Sequence, residues 1–95
     1  MQDNDIDQIA AMLKTMAHPI RLKILCLLEE KELSVGELRE IVKTTNANVS
    51  QHLNILRNQG IITFRKEANF IYNRIGDPKI LELIRTMRQL FCQDR

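Results

Sequence analysis

The most reactive side chains in this sequence are two cysteines. Cys26 sits in ILCLL and Cys92 in QLFCQ, 66 residues apart. That separation excludes a local Cys-x-x-Cys redox motif. His18 and His52 are the only imidazoles. A thiophilic metal asks for about three or four soft or imidazole ligands at close quarters. Two cysteines and two scattered histidines supply no such set, so neither a metal nor a cofactor is expected. A cytosolic chain would keep no structural disulfide. On residue type alone, the two thiols read as small buried hydrophobes. Nor is there a paired acid–base cluster or a glycine-rich phosphate loop, with only three glycines in the chain, so the sequence does not read as an enzyme.

A second constellation binds rather than reacts. The stretch TNANVSQHLNILRNQG, from Thr45 to Gly60, has hydrogen-bonding side chains crowded at its start: Asn46, Asn48, Ser50, Gln51 and His52. Such a row at the N-terminal end of a helix suits base edges in the major groove, and Asn and Gln suit adenine. Arg57 lies at the far end of the same helix. The following stretch, IITFRKEANFIYNRI, has Arg65 and Lys66 as candidate phosphate contacts and Asn69 at its tip, placed for a minor groove. Net charge is only +2, but residues 43–74 hold Lys43, Arg57, Arg65, Lys66 and Arg74 against Glu67 alone, a local +4. Acids gather elsewhere, at Asp3, Asp5 and Asp7 and from Glu29 to Glu40. This separation gives one face fit for phosphates.

The elements that position these residues follow from periodicity and caps. Ile6, Ile9, Ala10, Leu13 and Met16 predict a first helix from about Asp5 to Ala17. Pro19 suits the first turn of a second helix reaching Glu30. Glu32 to Ser34 reads as a short extended segment. Ser34-Val35-Gly36-Glu37 fits a capping box opening a third helix to Lys43, burying Leu38, Ile41 and Val42. Thr45 is the expected N-cap of a fourth helix to Asn58, which buries Val49, Leu53 and Leu56, with Gly60 left-handed behind it. Ile61–Lys66 and Phe70–Ile75 predict a hairpin, with Asn69 taking the positive φ of its turn. Asp77-Pro78 opens a last helix with a 3-4 stripe of Ile80, Leu83, Ile84, Met87, Leu90 and Phe91. So much apolar surface needs cover, and a dimer seam is preferred over intramolecular packing.

The expected fold class is therefore α+β, mainly α: about five helices and a two-stranded hairpin wing, a winged helix-turn-helix. One domain spans residues 1–95, with terminal helices at 1–17 and 77–95, the helix-turn-helix at 34–59 and the wing at 61–75. A chain of 95 residues has a limited core and often gains stability by dimerising. The longest apolar run, Ile24 to Leu28, is far too short to cross a membrane. The acidic start MQDNDID is unlike a secretory signal, and a cytoplasmic location is expected.

Four motifs, LKTMAHPIRLKIL (13–25), ELSVGEL (32–38), VSQHLNILRNQGII (49–62) and RKEANFIYNRI (65–75), together resemble the ArsR/SmtB family of winged-helix repressors along nearly the whole chain. The resemblance implies a homodimer joined through its first and last helices and bound to an inverted-repeat operator of double-stranded DNA. The chain departs from the family pattern at Thr44, at Ala47-Asn48 and at Ala68, which replaces the usual wing glycine. It also lacks the family's metal ligands: Ser34 and Gly36 stand where a Cys-x-Cys pair is common, and the last helix has no histidine. RLKILCLL and RQLFC instead match a branch that senses persulfides. That likeness implies a repressor released by a persulfide or polysulfide donor through a Cys26–Cys92 dithiol switch. A peroxide-responsive regulator, an anti-repressor and, less favoured, a metal-responsive repressor are the alternatives.

Overall fold

A computed structural model describes residues 1–92. Five helices and three strands follow one another: α1 (Asp3–Met16), α2 (Pro19–Leu28), β1 (Leu33–Ser34), α3 (Val35–Val42), α4 (Asn46–Asn58), β2 (Ile62–Glu67), β3 (Phe70–Ile75) and α5 (Pro78–Phe91). This is a winged helix-turn-helix. The expected last segment, 77–95, extends past the described residues at 93–95.

The helix starts are set by local chemistry. The His18 ring caps α2, its Nδ1 accepting the Ile20 amide at 3.1 Å, and Pro19 follows with no N–H to satisfy. Ser34 and Glu37 close the expected capping box, with bonds of 2.9 and 3.2 Å. Thr45 caps α4 through its Oγ1, which accepts the Asn48 amide at 3.1 Å. Asp77 does the same for α5 from the Lys79 amide. Between α3 and α4 the chain turns at Lys43, whose φ is 62°. Gly60 takes φ 73° after α4, as its position required.

The wing differs from the expected hairpin in two ways. The Glu32–Ser34 stretch supplies a third strand: β1 pairs antiparallel with β3, Leu33 against Asn73 and Ser34 against Tyr72, giving the order β1-β3-β2. The positive φ of the turn falls on Ala68, at 55°, and not on Asn69. Glu67 pairs with Phe70, so only Ala68 and Asn69 form the loop. A two-residue loop with its first position left-handed follows the type II′ pattern, which favours glycine there.

The core gathers Ile24, Leu25 and Leu28 of α2, Leu38 of α3, Val49, Leu53 and Leu56 of α4, Ile61 and Ile62, and Ile80 and Ile84 of α5. α2 lies at its centre, as its wide apolar arc implied. α2 ends two residues before the expected Glu30, where the chain turns toward β1. Ile41, expected inside, is exposed. So are Ile6, Ile9 and Leu13 of α1, and Leu90 and Phe91 of α5; only Met16 of the first stripe is buried.

Left-handed backbone costs an alanine roughly 1–2 kcal/mol, so Ala68→Gly should stabilise the fold by about 1 kcal/mol. A higher urea midpoint at unchanged slope in equilibrium unfolding checks this.

Candidate nucleic-acid interface and regulatory thiols

The α3–α4 pair presents the start of α4 at the surface. Thr45, Asn46, Ala47 and Gln51 are exposed, and Asn48 and Ser50 are half-buried. The side chains are not equally available. Thr45 spends its hydroxyl on the cap, and Asn48 donates its Nδ2 to Thr44 Oγ1 at 3.0 Å. Asn46 and Gln51 are the exposed polar side chains of this row. Asn54 was missed by the sequence reading. It is exposed and lies on the face of Ala47 and Gln51, which its i+3 and i+7 spacing from them would have shown.

Two expected contacts have other places. His52, expected on the exposed face, is buried at 7% exposure. Its ring lies 4.5 Å from that of His18, and its Nδ1 faces Arg21 Nη1 at 3.2 Å. It points inward because position 52 shares the core side of α4 with Val49, Leu53 and Leu56. Arg57 also folds back. Its Nη2 donates to Asn73 Oδ1 at 2.7 Å, its Nη1 to Asn54 Oδ1 at 2.9 Å, and its Cζ lies 4.8 Å over the Phe64 ring. It is a strut between α4 and the wing.

The Arg65-Lys66 pair does not form a single patch. Neighbours on a strand point to opposite faces. Arg65 shares its face with Tyr72, over whose ring it lies, 5.0 Å from the centroid, and it bonds Glu32 of the β1 approach at 2.9 Å and also Glu67. Lys66 shares the other face with Phe64 and Asn73 and is exposed, as is Asn69 at the tip. Glu32, from outside residues 43–74, also pairs with Arg65, so the local positive charge is weaker than the sequence tally.

The thiols meet. Cys26 of α2 and Cys92, the C-cap of α5, are both half-buried. Both line one cavity of about 170 Å³, with Leu22, Ile84, Met87, Arg88 and Phe91 as its other walls. The 66-residue separation in sequence is closed by α5 returning across α2. A cross-helix ion pair holds that return: Glu29 accepts from Arg88 Nη1 at 3.0 Å and from Arg85 Nε at 3.4 Å. Among the described residues no three His, Cys, Asp or Glu side chains converge as a metal would need, and no helix is long and apolar enough to cross a membrane.

Residues 18–63 match the family described as bacterial regulatory protein, arsR family. The biofilm growth-associated repressor of Agrobacterium fabrum is 40% identical over 85 residues, covering 90% of this chain and 73% of that protein. The transcriptional activator HlyU of Vibrio cholerae is 39% identical over 82 residues, covering 86% of this chain and 76% of the other. The structure of reduced HlyU from that organism superposes with a TM-score of 0.91 at 35% identity, covering 96% of each chain. This chain belongs to the ArsR family of bacterial regulators. It is a DNA-binding transcriptional regulator of the winged-helix class.

The His52 site carries a pH dependence. A guanidinium only donates, so His52 Nδ1 must accept and the ring is neutral. Burial, then His18, then Arg21 push its pKa below the usual value near 6.5. The unfolded chain therefore takes the proton first as pH falls. The stability this site contributes is whole above about pH 6.5 and is lost as pH drops through the lowered folded value. Thermal melts from neutral to mildly acidic pH should show that loss. His52→Asn, which retains an acceptor for Arg21, should flatten it; an unchanged slope assigns the dependence elsewhere.

Proposed function

We propose that this regulator works as a homodimer on an inverted-repeat operator and is released by reactive sulfur species that join Cys26 to Cys92. The observation that carries the reading is the shared cavity: two cysteines remote in sequence line one small, mostly apolar space. The existence of a reduced form of its relative HlyU agrees with thiol chemistry in this fold.

The chemistry balances with the donor as oxidant. One thiolate attacks the outer sulfur of a hydropersulfide RSSH, forming a protein persulfide and releasing the thiol RSH. The second thiolate then attacks the inner, cysteine-bound sulfur and expels hydrosulfide, leaving a disulfide. If both cysteines are persulfidated first, one attacks the other's inner sulfur, hydrosulfide leaves again, and a trisulfide remains. Either bridge pins the end of α5 to α2.

Dimerisation is supported by the uncovered apolar faces of α1 and α5, at Ile6, Ile9, Leu13, Leu90 and Phe91. In such a dimer two copies of α4 enter successive major grooves about one helical turn apart. Asn46 and Gln51 face base edges, Ser50, Thr45 and Asn48 support the helix start, and Lys66, Arg65 and Asn69 lie along the backbone. Shifting α5 at the seam changes the spacing of the two reading helices, and affinity falls. Relatives named as a repressor and as an activator show that related chains serve both signs of control; the absent thiol and histidine motifs of the metal sensors favour release by sulfur.

Cys26→Ser and Cys92→Ser should each bind operator with unchanged affinity in gel-shift or anisotropy titrations, yet resist release by inorganic polysulfide. Release equal to that of the parent protein would contradict the switch. Peroxide tested in parallel distinguishes the oxidants, because only a sulfane donor leaves extra sulfur in the bridge.

A further inference from the structure

A chain of hydrogen bonds runs from the backbone of the sheet to the surface of α4, and its polarity is fixed at every link. Asn73 of β3 is fully buried. Its Nδ2 donates to the Leu33 carbonyl of β1 at 3.2 Å. Its Oδ1 accepts from Arg57 Nη2 at 2.7 Å. Arg57 Nη1 then donates to Asn54 Oδ1 at 2.9 Å. A carbonyl can only accept and a guanidinium can only donate. The Leu33 carbonyl thus sets the amide of Asn73, which presents its oxygen to Arg57. Arg57 in turn obliges Asn54 to present its oxygen inward. The NH₂ of Asn54 is left facing out, on the face shared with Ala47 and Gln51.

We infer that Asn54 is a specificity-determining residue that reads the operator as a hydrogen-bond donor, oriented through Arg57 and Asn73. An unconstrained asparagine offers a donor and an acceptor together, which is why it suits adenine, with its N6 donor and N7 acceptor. In Asn54 the bond from Arg57 takes one lone pair of the oxygen and turns that oxygen toward Arg57, so the NH₂ is the end of the amide left for a ligand. It is matched to a major-groove acceptor: the N7 or O6 of guanine, the O4 of thymine or the N7 of adenine. Cytosine presents only its N4 donor at the major-groove edge and is the base Asn54 disfavours. Arg57 and Asn73 are positioning residues in this scheme. Ring contact with Phe64 at 4.8 Å further fixes the Arg57 fork, tying the wing and the reading helix into one unit.

The inference rests on the reading of α4 as the major-groove helix, and the experiment separates the two. Operators carrying every single base-pair substitution are titrated with the parent regulator and with Asn54→Ala, Arg57→Gln and Gln51→Ala, alongside thermal melts. The expected result is that Asn54→Ala flattens the preference at one base-pair position per half-site, where the parent discriminates by about tenfold, and leaves the other positions alone. Arg57→Gln flattens the same position, because the released Asn54 amide flips freely. A merely structural role for Arg57 would instead weaken all positions and random DNA equally. If Asn54→Ala keeps the parent preference everywhere while Gln51→Ala alters one position, the donor assignment is overturned and the major-groove reading stands. If no α4 variant alters any position, both fall.

Discussion

The packing of α2 is the constraint on which the other parts depend. Its 3.6-residue period sends Ile24, Leu25 and Leu28 into the core against α4, while Cys26 and Leu22 face α5. Arg21 reaches from the same helix to His52 inside α4. One ten-residue helix therefore touches both the reading helix and the helix that bears the second thiol. Because protein interiors are close-packed, a displacement on one side of α2 is transmitted rather than absorbed.

α5 is anchored unevenly. Ile80 and Ile84 are in the core, at 2% and 1% exposure, and Glu29 grips Arg85 and Arg88. The last turn is bare: Leu90 and Phe91 are 68% and 78% exposed. Cys92 follows directly. The second thiol thus follows directly on an exposed turn, and the proposed bond to Cys26 would tie that turn covalently to α2. In the proposed homodimer the same turn belongs to the seam, so the proposed sensing and the proposed subunit geometry would act on one segment.

Much of this was legible in the sequence. Caps at Ser34, Thr45 and Asp77 and the β-branched and aromatic content of β3 depend on neighbours within a few residues, and they read correctly. Contacts between distant segments did not. Nothing near Arg57 announces Asn73, sixteen residues on, and nothing near His52 announces His18 and Arg21; Arg57 therefore looked like a surface group, and His52 read equally as a DNA contact or a half-buried histidine. The turn erred for another reason. Asparagine tolerates positive φ better than alanine, but the register of Glu67 with Phe70 put the left-handed position on Ala68. Burial along α1 and α5 was also unreadable, because an apolar stripe has the same spacing whether its own chain covers it or a second subunit does. The cysteines became a pair only when the path of α5 across α2 closed their separation.

The most direct test of the account is the covalent linkage in polysulfide-treated protein, mapped by mass spectrometry on unreduced tryptic peptides. The account predicts that peptide 24–31, carrying Cys26, is joined to peptide 89–95, carrying Cys92, within one chain, and that the linked fraction rises in step with operator release. Release without that link, or a link that forms only between chains, would contradict it.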